Sequence, residues 1–212
     1  MTEEVATTPE PWSPAHHPEA IAVSEAQWWV WTLRLCARRL DERELGMWLP
    51  DPQQIDARQF AVALRQVEYA AKMMLAGTLL DCCPAARADL KAARQRFLDK
   101  VPGAIAARDI LIHFDDYAVG EGVRQRKQKR QEGAAAAARD HWGGGYDPAT
   151  GEFTLGPNRI NIKLALEEAE VLFDAIYSAA KAFDGYQAAQ QGSSVQGPKV
   201  QGRSGDHGSR KP

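Results

Sequence analysis

The chain is 212 residues long, which is enough for one domain with a sizeable hydrophobic core. Its formal net charge of -2 at pH 7 argues against a protein that binds nucleic acid over its whole surface, so any such contact must come from a local basic patch. The spacing of Cys36, Cys82 and Cys83 fits neither a disulfide framework nor a zinc site, which indicates reduced, partly buried thiols in a cytoplasmic protein.

Both ends of the chain are predicted to be disordered tails. Residues 1–20 are acidic and rich in proline, and they lack the basic start and apolar stretch of a signal peptide. Residues 188–212 are mostly glutamine, glycine, serine and basic residues, which cannot bury enough apolar surface to become ordered. The longest apolar stretch, Met73 to Leu80, is too short to span a bilayer, so we expect a soluble cytoplasmic protein without membrane contact.

Between the tails, residues 21–187 are predicted to form one helical domain, and its first helix contains a cluster of tryptophans. Ser24 is suited to be the N-cap of that helix. Trp28, Trp29 and Trp31 could form a ligand platform, but their spacing is more typical of side chains packed in a core. We therefore expect the cluster to be buried.

Two longer helices carry apolar or small residues at alternating steps of four and three, the spacing of a helix that packs along a neighbour. They are expected over about residues 56–80 and 163–186, with shorter helices opening at Pro84 and near Pro102. Such helices pack near-antiparallel at a shallow angle, which predicts a mostly α fold, a four- or five-helix antiparallel bundle. The seam positions are Phe60, Leu64, Val67, Ala71, Met74 and Thr78 in the first, and Leu166, Ala169, Phe173, Ile176, Ala180 and Phe183 in the second.

Residues 143–162 interrupt the helical pattern. Asp147-Pro148 opens a turn, and Gly151 supplies the positive φ that closes a hairpin. We expect a small β-hairpin insertion of two or three strands, packed against the bundle as a flap. His141 and Trp142 precede it; they could border a site that the flap closes, but they are more typical of an anchor for the hairpin.

The penultimate helix is expected to present two different faces. A face that held only solvated residues would rarely carry Ile105 and Ile112 beside an arginine and a histidine, so we expect that face to meet a partner protein or a cleft under the flap. The core face is predicted to carry Ala107, Ile110, Leu111, Phe114 and Ala118, and the opposite face Arg108, Asp109, His113, Asp116 and Tyr117.

The polar face contains the clearest candidate site. On an ideal helix Arg108 and His113 point about 140° apart, so one helix assembles them poorly, whereas two copies across a twofold axis could bring them together. Asp109 can hydrogen-bond to His113 and fix its tautomer. Asp109, His113 and Asp116 could also bind a metal, but metal sites in bundles usually draw ligands from several helices, and we expect none here.

The sequence Arg108-Asp109-Ile110-Leu111-Ile112-His113 resembles the R-polar-x3-H signature of the HEPN superfamily. The resemblance covers residues 27–186 in architecture and 108–117 in motif, although many toxins of the superfamily have a tyrosine two residues after the histidine and Tyr117 comes four after. It implies a homodimeric, metal-independent endoribonuclease with one composite site built from both protomers, and Ile105 and Ile112 at the dimer interface.

The resemblance also implies roles for the motif residues. His113 would act as general base or acid, and Arg108 would hold the phosphate. Asp109 would orient His113, and Tyr117 would donate a hydrogen bond to the phosphate. The nucleophile is the RNA 2′-hydroxyl, so no cofactor is expected, and the products are a 2′,3′-cyclic phosphate and a 5′-hydroxyl.

Two alternatives stay open at this point. The first is a HEPN-like dimeric module that binds RNA or protein without catalysis, because Asp115 and Asp116 add negative charge that opposes phosphate. The second is an unrelated helical protein, which would be a monomer. The sequence does not name a neutralising or effector protein.

A basic run just after the motif helix could supply the local patch for RNA. A solvated helical extension is an equally good explanation of the run. The basic residues are Arg124, Arg126, Lys127, Lys129 and Arg130.

Overall fold

The computed structural model describes residues 13–42 and 52–194. Within these ranges the chain forms eight α-helices, two 3-10 turns and one small sheet, which confirms the predicted mostly α bundle with a β insertion. No helix in these ranges is long and apolar enough to cross a membrane. In chain order the elements are a 3-10 turn (Pro14–His16), α1 (Pro18–Asp41), α2 (Pro52–Leu75), α3 (Pro84–Lys100), α4 (Gly103–Ile112), α5 (Phe114–Ala118), a 3-10 turn (Val123–Gln125), α6 (Arg126–Glu132), α7 (Ala134–His141), β1 (Tyr146–Asp147), β2 (Glu152–Leu155), β3 (Asn158–Asn161) and α8 (Ile162–Ser194).

The four long helices α1, α2, α3 and α8 form the bundle. Helix α1 packs along α2 and α8, and α3 packs along α8. The end of α1 meets the start of α2, where Arg39 lies 3.1 Å from Asp56, so these two helices are antiparallel. Arg96 of α3 donates to both carboxylate oxygens of the buried Glu168 on α8, at 2.7 and 2.9 Å, and thereby fixes the register of that pair.

Both ends of the domain extend further than the sequence predicted. Helix α1 begins at Pro18 rather than near Ser24, so part of the predicted tail 1–20 is helical. Proline suits the first turn of a helix, where its missing N–H is not needed, and a proline-rich start therefore does not exclude one. Helix α8 continues past residue 187 to Ser194 through alanines and glutamines that favour helix. Residues 1–12 and 195–212 of the predicted tails lie outside the described residues.

The predicted seam of α2 is confirmed as the centre of the core. Its residues from Phe60 to Met74 at these steps are completely buried. The helix itself is shifted toward the N-terminus, because it runs from Pro52 and ends at Leu75. Thr78 therefore lies in the following turn and is exposed.

The tryptophan cluster was predicted to be buried, and this is wrong for two of its three members. Trp28 is 70% exposed and Trp31 is 58% exposed, while Trp29 is half-buried. Small and branched residues let α1 approach α2 and α8 closely, so the bulky rings are left on the outer face. The inward face of α1 consists of Ala22, Ala26, Val30, Leu33, Cys36 and Leu40.

The predicted flap is a three-stranded antiparallel sheet in the order β1-β2-β3. Its inward side chains, among them Phe153 and Ile160, are buried in the core. The Gln54 amide of α2 donates to the Tyr146 carbonyl at 3.0 Å and accepts from the Tyr146 N–H at 2.7 Å, which ties the first strand to the bundle. Gly151 has the expected positive φ, 66°.

All three cysteines are free thiols. Burial raises the pKa of the Cys36 thiol to about 11, and the nearby Asp56 adds to that shift. A thiol that stays protonated is a weak nucleophile, so Cys36 is not a candidate catalytic group.

The short helix α5 ends in a Schellman motif. The Glu121 N–H donates to the Asp116 carbonyl at 2.8 Å, and the Gly120 N–H donates to the Tyr117 carbonyl at 3.3 Å. The motif requires a left-handed residue at Gly120, whose φ is 78°. A Cβ at this position would also collide with the carbonyl oxygen of Ala134. Gly120 therefore fixes where the chain turns from α5 toward α7.

We expect Gly120→Ala to destabilise the protein more than Gly133→Ala. Gly133 also has a positive φ, 88°, but nothing lies within 4 Å of a Cβ there. Gly133 has ψ 164°, and Gly133→Ala should lower the free energy of unfolding by about 1–3 kcal/mol, the cost of placing a Cβ in a backbone region that is essentially restricted to glycine. Gly120→Ala combines the strain of a positive φ with a backbone collision, so its loss should be larger. Urea unfolding followed by far-ultraviolet circular dichroism measures both, and equal losses would contradict the close contact.

Candidate functional site

The motif helix is interrupted at the motif histidine. His113 has φ -110° and ψ 41°, so α4 ends at Ile112 and α5 begins at Phe114. The expectation of one continuous helix through the motif is therefore wrong. Phe114 was predicted to face the core but is 59% exposed, and Ala118 is exposed as well, because the break turns α5 relative to α4.

The interruption has a direct effect on the motif residues. Arg108 and His113 line the same surface cleft, which has a volume of about 630 Å³. The divergence of about 140° that an ideal helix predicts does not apply, because His113 lies at the break after α4 and has non-helical backbone angles. One chain therefore brings together a pair that was expected to need a second copy. The cleft is also lined by Arg65, Tyr69, Asp109, Asp116, Tyr117, Val123 and Arg124.

Tyr69 of α2 holds two arginines beside one ring. The guanidinium carbon of Arg65 lies 4.2 Å from the ring centroid, and that of Arg108 lies 5.8 Å from it. The Nε atoms of both arginines are buried without a hydrogen-bond acceptor in the described structure. Two cations held this close repel each other, so an anion in the cleft would be attracted to both.

The buried carboxylate of Glu68 holds Arg65, one of these two arginines, in place. Glu68 is completely buried and forms a close ion pair with Arg65. Arg94 of α3 donates to the same carboxylate from Nε at 2.7 Å. One negative charge thus faces two positive charges, which leaves this part of the cleft wall positive.

Asp109 binds arginines rather than the histidine. Its carboxylate accepts a hydrogen bond from Arg124 at 3.3 Å and lies 3.6 Å from Arg108. Among the described residues Asp109 and His113 are joined by the backbone hydrogen bond from the His113 N–H to the Asp109 carbonyl, 3.0 Å long, and not by a side-chain hydrogen bond, so the expected contact that would orient the imidazole is not formed. A guanidinium group competes better for a carboxylate than a neutral imidazole does. Asp109 therefore holds Arg108 and Arg124 on the same side of the cleft.

Tyr117 is part of the cleft wall and is 2% exposed. Its ring packs so closely on Gly122 that a Cβ there would lie 2.7 Å from it. The His141 ring lies 6.3 Å away, tilted by 44°. The hydrogen bond that Tyr117 was expected to donate to phosphate stays a prediction.

Gln125 joins the segments that form this wall. Its side chain is completely buried, and its amide nitrogen donates to the carbonyls of Tyr117 and Ala137 at 3.0 and 2.8 Å. Its amide oxygen accepts from the Gly122 N–H at 2.8 Å. A buried amide with both groups satisfied rigidifies the segments it joins. Gln125 therefore fixes the position of Arg124 next to it in the chain.

The predicted basic run is divided between two places. Arg124 lies in the 3-10 turn and lines the cleft. The four other residues, Arg126, Lys127, Lys129 and Arg130, lie on α6 and do not line it, and Lys129 forms a close ion pair with Glu121. Their predicted contact with RNA stays a prediction.

The predicted interface residues differ in exposure. Ile105 is half-buried, and Ile112 is 48% exposed. Their predicted place in a dimer interface is not tested by a single chain and stays a prediction.

His141 and Trp142, the two residues before the hairpin, have different neighbours. The backbone of His141 lies against Gly156, in the turn between β2 and β3, as an anchor would. Trp142 is 46% exposed and borders a second cavity of about 360 Å³, together with Phe114 and Arg58.

Sequence reasoning missed Arg65, Tyr69 and Gln125. The first two lie on α2 beside its apolar seam, at steps of two from the buried Val67. The signal that the sequence offered was the presence of two charged residues, Arg65 and Glu68, directly beside seam positions of α2. Nothing in the sequence indicated that α2 and α4 share a cleft.

Within the described ranges no group of three histidine, cysteine or acidic residues is placed to hold a metal ion. Comparison with family models, curated proteins and solved structures found no match.

We expect Glu68→Ala to destabilise the protein strongly, because it leaves Arg65, whose side chain is only 13% exposed, without its partner. Breaking a buried ion pair in this way costs about 3–5 kcal/mol. The matched control is Glu170→Ala, which breaks the exposed 2.7 Å pair with Arg34 on α1 and should cost less than about 1 kcal/mol. Urea unfolding of both variants measures the difference, and two small losses would show that Glu68 is not needed.

Proposed function

We propose that this cleft binds the phosphate of RNA and that the chain is a metal-independent, HEPN-like endoribonuclease. One observation carries the proposal: Arg108 and His113, which the chemistry needs together, line one cleft of a single chain. A cytoplasmic location, where RNA is available, belongs to the same proposal.

The charges of the cleft support an anionic ligand. Three arginines outnumber the two aspartates that line it. Guanidinium groups match the geometry of phosphate oxygens and bind them with two hydrogen bonds. Tyr69 offers an aromatic face beside two of these groups, as sites for single-stranded RNA often do.

The proposed reaction uses the RNA 2′-hydroxyl as nucleophile. His113, which is exposed to solvent, takes the proton of this hydroxyl while its oxygen attacks phosphorus. The bond from O2′ to phosphorus forms as the bond to O5′ breaks, and O5′ leaves with a proton from water. Arg108 stabilises the negative charge on the phosphate oxygens. The products are a 2′,3′-cyclic phosphate and a 5′-hydroxyl.

The proposal departs from the HEPN resemblance in one respect. The resemblance implies a composite site from two protomers. Because His113 and Arg108 line the same cleft of one chain, the proposed site does not require a second copy.

A second candidate is an RNA-binding module without catalysis. Asp109 and Asp116 line the same cleft, and the 3.3 Å hydrogen bond from Arg124 to Asp109 uses part of the positive charge. Carboxylates beside a phosphate weaken its binding and oppose the charge of a transition state. This candidate predicts RNA association that does not depend on His113.

We expect the protein to cleave single-stranded RNA in EDTA, and His113→Ala to reduce the rate by about 10²–10⁴, the usual contribution of a general base. The matched control is His16→Ala, an exposed histidine outside the cleft. Product termini are identified by mass spectrometry. Absent cleavage by the wild type, or equal rates for the two variants, would reject the ribonuclease and leave the binding module.

We expect Arg124→Gln to weaken RNA binding, because it removes one phosphate contact. The plot of log affinity against log salt should lose about 0.7 from its slope, the value for one contact to a single strand. Arg159→Gln, on β3 and outside the cleft, is the control, because Arg159 is also exposed and loosely paired, 3.7 Å from Glu152. Fluorescence anisotropy with a labelled RNA measures both slopes, and equal slopes would place the RNA elsewhere.

A further inference from the structure

A second cavity, of about 360 Å³, lies between α2, α4, α5 and the sheet. Ligand sites in proteins are usually concave, mostly apolar and at least about 300 Å³ in volume. None of the residues that line this cavity also lines the cleft of the proposed ribonuclease, so the two places can bind different molecules. What the cavity binds is therefore independent of the proposed function.

The inner part of the cavity is apolar and already formed. Ile110 of α4 and Leu155 of β2 line it, and they are 1% and 4% exposed. Both side chains belong to the hydrophobic core, whose close packing keeps them in place. They carry no hydrogen-bonding group, so this part of the cavity favours the apolar part of a ligand.

Two aromatic side chains line the cavity nearer to the solvent. Phe114 is 59% exposed and Trp142 is 46% exposed. Aromatic rings pack favourably against other aromatic rings, in offset or edge-to-face arrangements. An apolar cavity of about 150 Å³ holds one benzene ring. A cavity of about 360 Å³ therefore has room for two fused rings.

Arg58 of α2 is the one charged side chain among the described residues that line the cavity. It is exposed, and it forms no ion pair or hydrogen bond with another described residue. Its guanidinium group is therefore available to a ligand, and it matches a carboxylate with two parallel hydrogen bonds. One arginine balances one carboxylate, whereas a phosphate dianion would place additional negative charge beside apolar side chains.

We propose that this cavity binds a small aromatic carboxylate of two fused rings. The rings pack against Ile110 and Leu155 and beside Phe114 and Trp142, and the carboxylate binds Arg58. Each part of such a ligand thus meets the groups that favour it. A ligand of about 13 non-hydrogen atoms should bind with a dissociation constant on the order of 0.1 mM.

Three indole probes of similar shape test the charge requirement. Indole-3-acetate is an anion, indole-3-acetamide is neutral and tryptamine is a cation. Isothermal titration calorimetry with the full chain should find the acetate bound about tenfold more tightly than the amide, the effect of one charge-assisted contact. Tryptamine should bind more weakly than the amide, because its ammonium group meets the positive charge of Arg58.

Substitution of Arg58 locates the contact. Arg58→Gln should bind the acetate about tenfold more weakly than the wild type does. Its affinity for the amide should be unchanged, which shows that the cavity is intact. Arg58→Glu should reverse the preference, so that tryptamine binds more tightly than the acetate. The matched control is Arg139→Gln, which replaces an exposed arginine of α7 outside the cavity and should leave all three affinities unchanged.

The aromatic contact has its own pair of variants. Trp142→Ala should weaken the binding of the acetate about threefold to tenfold, whereas Trp28→Ala, at an exposed position on α1, should not change it. A wild type that does not bind the acetate at about 5 mM would overturn the proposal, because this is far above the expected dissociation constant. So would equal affinities for the acetate and the amide, an Arg58→Gln variant that binds the acetate as the wild type does, or equal losses in the two tryptophan variants.

Discussion

The interruption of the helix at His113 is the constraint on which the candidate site depends. On a continuous ideal helix Arg108 and His113 would point about 140° apart, whereas with the break at His113 both line one cleft. The break is held from its C-terminal side. Gly120 ends α5 in the left-handed region, and Gln125 bonds the returning chain to the Tyr117 carbonyl. Two residues outside the motif thus give the motif its geometry.

The periodicity of the sequence predicted most of the fold. The seam of α2 and the hairpin turn at Gly151 follow from local patterns, and both are present. The tryptophans were misplaced because periodicity shows which residues share a face and not which face is turned inward. The break at His113 was missed because no proline or glycine marks it in the sequence, and the contacts that hold α5 after the break involve Gly120 and Gln125, further along the chain.

The candidate site was predicted in part. Arg108, His113 and Arg124 line the cleft as separate sequence arguments suggested. Arg65 and Tyr69 were missed because their part in the cleft comes from the packing of α2 against α4, a long-range contact that one sequence does not reveal. The partner of Asp109 was misassigned because helical spacing shows which groups can meet, whereas charge decides which of them bind.

The two walls of the cleft differ in how firmly they are attached to the domain. Arg65 and Tyr69 stand on a helix whose neighbouring residues form the core, whereas Arg124 stands on a short turn secured by the Gln125 amide. Segments with few apolar contacts open by sub-global fluctuations while the rest of a protein stays folded. A ligand that spans both walls binds only when the weaker wall is closed, so it suppresses hydrogen exchange there by mass action. Occupancy of the cleft and order in the segment from α5 to α7 are therefore thermodynamically linked.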